Sequence, residues 1–140
     1  MRDLLRRQFA TQETMAKYRH REWSWKEGVT CVHMVRFHLR KMGHSPEPMP
    51  RVRSLVAAKR ALKERGCETV IDLLDKQAGL SRIVPAQMLL GDLAAVESED
   101  GLDALFVCAG PQKLIGWHDA AKGMVVVDVP FKDIKGTWRC

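Results

Sequence analysis

The stretch of sequence that decides the fold runs from residue 23 to residue 34 and reads Trp23-Ser24-Trp25-Lys26-Glu27-Gly28-Val29-Thr30-Cys31-Val32-His33-Met34. Its glycine predicts a turn, and the apolar residues after it recur at helical spacing. Thr30 is a typical N-cap residue, so the pattern predicts a helix over Thr30–Met42 with Cys31 in its first turn. The positive end of the helix dipole stabilises a thiolate there, which makes Cys31 a candidate nucleophile. The alternative is that Cys31 is buried as a small apolar residue.

Other helical patterns occupy the first 80 residues. The pattern of apolar and polar residues predicts a helix over 3–19, and capping and stop signals predict helices over Ser54–Arg65 and Thr69–Ala78. The first of these has an irregular apolar stripe made of Leu4, Leu5, Phe9, Met15 and Tyr18. Three prolines within Ser45–Pro50 exclude regular structure and predict a loop.

Residues 90–140 change to short apolar or alternating runs separated by turn residues. These runs predict consecutive antiparallel strands over Asp92–Val96, Ala104–Ala109, Lys113–Trp117, Met124–Val129 and Ile134–Trp138. Helices followed by strands predict an α+β fold, with N-terminal helices packed on a C-terminal antiparallel sheet of about five strands. The chain has 140 residues, a length typical of a single domain. We expect this domain to be mainly helical over residues 1–80 and to consist mainly of strands over residues 90–140.

Two later segments complete a recognisable layout. The cysteine helix is followed by Gly91-Asp92-Leu93-Ala94-Ala95-Val96 and by an apolar strand that ends in Cys108-Ala109-Gly110. Together with a glycine three residues before Cys31, this layout resembles the NlpC-type, papain-like cell-wall peptidases. It is more closely similar to their small phage-encoded relatives found among tail-assembly genes. The resemblance covers about residues 20–129 and implies a cysteine helix laid against a sheet.

The resemblance also implies catalytic roles. The helix-starting cysteine of that family is its nucleophile, which corresponds to Cys31. The family's base is a histidine at the start of the strand after the Gly-Asp strand, and alignment on Gly110 puts Ala104 there. A third polar residue lies on the next strand, where Gly116 and His118 are the candidates. The empty base position favours a scaffold that has lost catalysis. The alternative is an active peptidase or amidase that cleaves cell-wall peptides, with Cys31 as nucleophile and His118 as base.

The distribution of charged residues and the spacing of the cysteines limit the classes of function that the chain can have. Residues 1–66 hold 16 Lys and Arg against 6 Asp and Glu, whereas residues 67–140 hold 7 against 11. Such opposite charges favour contacts with other subunits, or between copies of the chain. No nucleic-acid-binding motif is present, and the basic residues are spaced between apolar ones, so nucleic-acid binding is not predicted. The four cysteines are too scattered for a metal site, and no metal or other cofactor is predicted.

The remaining predictions concern location and partners. No run is apolar and long enough to span a bilayer, and the first residues lack the apolar core of a signal peptide, so we expect no membrane association. The lack of these segments, combined with the resemblance, predicts that the protein is a structural or assembly component of a bacteriophage or prophage tail, near the tail tip. Its expected partners are other tail proteins, such as hub, distal tail or fibre subunits. It would occupy the host cytoplasm during assembly and then the virion tail. Trp23 and Trp25 are expected to form a packed junction beside Cys31.

Overall fold

The structure is a computed structural model that describes residues 2–117 and 123–140. Its helices are α1 (Arg2–Tyr18), α2 (Cys31–Lys41), α3 (Leu55–Glu64) and α4 (Val70–Lys76). Thr30, Ser54 and Thr69 cap the last three, each with its side-chain oxygen accepting a hydrogen bond from a first-turn amide. These caps are local sequence signals, and all four predicted helices are confirmed.

The strands form one antiparallel sheet. They are β1 (Ser81–Ile83), β2 (Leu93–Val96), β3 (Ala104–Gly110), β4 (Lys113–Gly116), β5 (Val125–Asp128) and β6 (Ile134–Arg139). Their spatial order is β1-β6-β2-β3-β4-β5, so the described sheet has six strands. The α+β prediction is confirmed, but the estimate of about five strands missed β1. That strand has three residues at the sheet edge, too few to show an alternating pattern.

The two faces of the sheet have different neighbours. One face joins the helices in the main core through Leu93, Ala95, Leu105, Val107 and Ile115. The opposite face forms a smaller cluster made of Ala94, Phe106, Cys108 and Leu114. Helix α2 packs directly on β3. The side chains of α2 that face the sheet therefore meet the odd-numbered residues of β3.

Helix α1 packs through Ala10 and Thr14 in its middle and through Tyr18 at its end, whereas the large apolar residues of its first half face outward. Ala10 and Thr14 are fully buried, whereas Leu5 and Phe9 are 64% and 57% exposed. The Thr14 hydroxyl lies 2.8 Å from the Ala10 carbonyl oxygen, which lets a polar side chain sit at a close helix–helix contact. Leu4 is also exposed, so the predicted apolar stripe is wrong in its first half. These large side chains form an apolar patch on the outside of α1.

A buried ion pair ties α1 to the sheet. Arg7 Nη1 donates to Asp92 Oδ1 at 2.7 Å, and Asp92 is fully buried. The same carboxylate accepts from the backbone amides of Leu89 and Cys140, at 2.9 and 3.1 Å. Arg7 also donates to the carbonyl oxygens of Leu90 and Cys140. The Gly-Asp segment before β2 thus fixes both α1 and the end of β6. In the described part of the chain, no helix combines the length and apolarity needed to cross a membrane.

Candidate active site

A tight loop of residues 24–29, called the cysteine loop below, places Cys31 at the start of α2. Ser24 and Val29 exchange two backbone hydrogen bonds, at 2.7 and 2.8 Å. Gly28 closes the loop with a φ of +72°, a left-handed conformation that glycine adopts without strain. Thr30 follows in an extended conformation and caps the helix, so Cys31 is the first helical residue. The predicted placement of the cysteine is confirmed.

Burial controls the chemistry of Cys31. The residue is 3% exposed and belongs to the main core with Val35, Leu105 and Val107. Burial raises the pKa of its thiol to about 12, and the charge of Asp100 adds to this, while the backbone of Leu105 lowers the pKa in part. At pH 7 the thiol is therefore protonated. Burial therefore outweighs the helix dipole, and the described arrangement does not activate the thiol.

The residue of β3 beside Cys31 is Leu105, not Ala104. Leu105 is 1% exposed and shares the main core with Cys31, whereas Ala104 packs against the cluster on the opposite face. Successive strand residues point to opposite faces, so the expected alignment of Ala104 with the base position is off by one residue. Leu105 offers no proton acceptor, and the conclusion that β3 supplies no base is unchanged.

Gly116, one candidate for the third polar position, also belongs to the far face. A Cβ built there would lie 2.5 Å from Cδ1 of Phe106, so the glycine makes room for that ring. The other candidate, His118, lies outside the described residues.

The histidines of α2 are engaged elsewhere. Nε2 of the fully buried His38 lies 2.8 Å from the Gly91 carbonyl oxygen, and its Nδ1 lies 2.9 Å from the Thr14 hydroxyl. Burial lowers the pKa of His38, so the ring is neutral and Nε2–H donates to Gly91. Nδ1 of His33 lies 2.8 Å from the Thr30 hydroxyl. Among the described residues, no histidine perturbs the Cys31 pKa, and no three His, Cys, Asp or Glu are grouped as a metal site.

An aromatic cluster borders the cysteine loop. Trp23 contacts Trp25 and Trp117 edge-on, with ring centroids 5.8 and 5.7 Å apart. Trp117 is 8% exposed, contacts Tyr18, and donates from its indole to the Arg21 carbonyl oxygen at 2.9 Å. Trp23 is 37% exposed, so the expected packed junction depends on Trp117 more than on Trp23. The sequence placed Trp117 at the end of a predicted strand but gave no sign of this role, because its contacts with Tyr18 and Trp23 depend on tertiary packing.

A family model described as a domain of unknown function, DUF6950, matches residues 5–140. The chain belongs to the DUF6950 family. No curated protein sequence matches it. Among solved structures, this DUF6950 chain is similar to the P60 domain of an antigen from M. avium paratuberculosis, with a TM-score of 0.53 and 16% identity. The match covers 96% of this chain and 95% of the other. At that identity the likeness shows the fold alone, which is the NlpC-like fold that the sequence predicted.

Two cavities flank α2 of this DUF6950 domain. The first has a volume of about 570 Å³ and is mainly apolar; α2, α3, α4 and the proline-rich loop surround it, and Leu105 reaches its wall. The second, also of about 570 Å³, lies between the end of α1, the cysteine loop and α2, and is strongly basic. Met49, Pro50 and Val52 border both cavities. The sequence predicted Met49 and Pro50 only as part of a loop, because their role depends on which helices the segment crosses.

Proposed function

We propose that this chain is a non-catalytic NlpC/P60-like domain that acts as a structural or assembly component of a bacteriophage or prophage tail. The observation that carries the proposal is the burial of Cys31 among apolar side chains with a pKa of about 12. A cysteine peptidase needs an accessible thiolate with an imidazole in reach. Leu105 occupies the adjacent strand position. The tail assignment rests on the sequence resemblance to phage-encoded relatives of the NlpC type.

The exposed patch on α1 supports a role in assembly. Leu4, Leu5 and Phe9 are 58%, 64% and 57% exposed, and Leu5 and Phe9 are four residues apart on one side of the helix. Large apolar side chains grouped on a surface are typical of protein interfaces. We place the partners among other tail proteins, such as hub, distal tail or fibre subunits, or a second copy of the chain. The domain would act in the host cytoplasm during assembly and afterwards in the virion tail.

Complementation of a tail-assembly defect tests this proposal. Cys31→Ala should restore infectious particles, because the thiol has a packing role only. Leu5→Glu with Phe9→Glu should fold but fail to assemble tails, since two charges would disrupt the interface. The matched control is Val56→Glu, which alters an apolar side chain on α3 that is 68% exposed. A folded Cys31→Ala protein that fails to complement would overturn the non-catalytic assignment, and normal assembly of the double α1 variant would overturn the role of the patch.

An active cysteine peptidase is the second candidate, because Cys31 occupies the first turn of a capped helix. Alkylation separates the two candidates. We expect iodoacetamide to modify Cys31 far more slowly in the native protein than in denaturant, as measured by peptide mass spectrometry. Faster modification in the native state than in denaturant, lost in His118→Ala, would instead support the peptidase with His118 as base.

A further inference from the structure

The basic cavity beside α2 is lined by cationic side chains from four separate parts of the chain. Its volume is about 570 Å³, within the range of about 300–1,000 Å³ common for small-ligand sites. The cationic side chains that line it are Lys17, Arg21, Lys26, Arg36, Arg40, Arg51 and Arg53. They come from the end of α1, the cysteine loop, α2 and the segment after the proline-rich loop. Folding thus concentrates charges that are dispersed in the sequence.

These charges lack nearby compensation. Among the residues that the structure describes, Glu27 is the one carboxylate in the wall of the cavity. Within residues 2–117 and 123–140, none of the seven cations forms an ion pair with a carboxylate. Burial and the charge of Arg40 both lower the pKa of Arg36. The pKa of His33, which also lines the cavity, is lowered by burial and by Arg36. Like charges that converge on one concavity repel each other, and a bound anion relieves that repulsion.

The chemistry of the wall indicates which anion fits. Five of the seven cations are arginines, whose planar guanidinium groups bind phosphate oxygens through paired hydrogen bonds. A single phosphate offsets a small part of this charge, whereas linked phosphates bring several negative charges into a small volume. Trp25 and Phe37 add aromatic surface to the same wall. We propose that the basic cavity binds a small ligand with two or more linked phosphate groups, supplied as free polyphosphate or as a nucleoside di- or triphosphate.

Calorimetric titration of the full chain tests this proposal. Tripolyphosphate and ATP are the probes, and inorganic phosphate and citrate are the comparison anions, all at about 0.15 M salt so that weak surface attraction is screened. We expect tripolyphosphate to bind at least about tenfold more tightly than citrate or inorganic phosphate. Tighter binding of ATP than of tripolyphosphate assigns the source as a nucleotide, and the reverse order assigns free polyphosphate.

Two results would overturn the proposal. Citrate that binds as tightly as tripolyphosphate would show attraction of any polyanion. A short single-stranded oligonucleotide that binds more tightly than both phosphate probes would show a nucleic-acid surface instead.

Matched variants locate the site. Arg40→Gln with Arg53→Gln removes two exposed cations from the cavity wall. Lys59→Gln with Arg60→Gln makes the same charge change on exposed residues of α3 outside the cavity. The first pair should weaken tripolyphosphate at least about tenfold, and the second less than about twofold. Thermal melting without ligand checks that both fold. Equal losses in both pairs would place the binding outside the cavity and overturn the assignment.

Discussion

Neutralising Asp92 should destabilise this fold more than any comparable change to a surface carboxylate. Asp92→Asn keeps the shape of the side chain but removes the charge that compensates Arg7, which is 9% exposed. It also weakens the hydrogen bonds that the carboxylate accepts from the amides of Leu89 and Cys140. Breaking a buried pair in this way costs about 3–5 kcal/mol, because one charge stays buried without a partner. Such a loss is a large fraction of a typical stability of about 5–15 kcal/mol.

The chain contains a matched exposed pair as a control. Lys113 Nζ lies 2.6 Å from Asp128 Oδ1, with side chains that are 51% and 66% exposed. Solvent screens this pair, so Asp128→Asn should cost about 0–1 kcal/mol. Adding Arg7→Met to Asp92→Asn should recover stability, since it removes the buried charge that the first change leaves unpaired.

Urea unfolding followed by tryptophan fluorescence measures these differences in the free energy of unfolding. A loss in Asp92→Asn no larger than in Asp128→Asn would refute the argument that the buried charge on Arg7 needs this carboxylate. A double variant less stable than Asp92→Asn alone would show that packing of the arginine stem, rather than its charge, is the larger contribution.

Three further changes test the core and the site. Gly116→Ala places a Cβ 2.5 Å from the Phe106 ring and should cost about 1–3 kcal/mol in urea unfolding, with part of the loss recovered when Phe106→Leu is added. Burial lowers the pKa of His38, so the unfolded state binds a proton at a higher pH than the folded state does. The free energy of unfolding should therefore fall as the pH drops below about 6.5, by up to about 1.4 kcal/mol per pH unit. His38→Gln should remove that part of the slope, and an unchanged slope would assign it to other groups. Trp117→Ala should lower the free energy of unfolding by about 3–5 kcal/mol, because Trp117 is 8% exposed. Trp23→Ala should lower it clearly less, because Trp23 is 37% exposed. Equal losses would contradict the view that Trp117 is the most important residue of the aromatic cluster.

The helices could be predicted because their signals are local. Thr30, Ser54 and Thr69 each cap a helix within three residues of their own position. Strand β1 escaped prediction because its pairing is not local: Ser81 is paired with Arg139 at the far end of the sequence. The exposure of Leu5 and Phe9 was missed for a similar reason, since the partner of α1 is set by tertiary packing of small residues.

Part of the candidate site could also be predicted from local signals, and part depends on tertiary packing. The position of Cys31 followed from its cap and turn, but its pKa depends on burial by Leu105 and Val107, some 75 residues away in sequence. The alignment on Gly110 put Ala104 beside the thiol. Ala104 lies on the opposite face with Phe106 and Cys108, and which alternating set of β3 residues faces α2 is decided by tertiary packing rather than by the local pattern.

The contacts of Arg7 have a consequence for how the chain reaches its native state. This residue donates hydrogen bonds to partners 83 and 133 positions later, so the contacts of Arg7 with the sheet cannot be complete until the end of β6 has been synthesised and paired. Long-range closure of this kind slows folding, because loop entropy is lost before the contact is gained. A ribosome-bound chain can pack α1 on α2 early, but it would lack the contacts of Arg7 with the sheet for most of its synthesis. Pulse-labelled hydrogen exchange should therefore find the first turns of α1, around Arg7, protected late, together with β6 and after the β3–β4 hairpin.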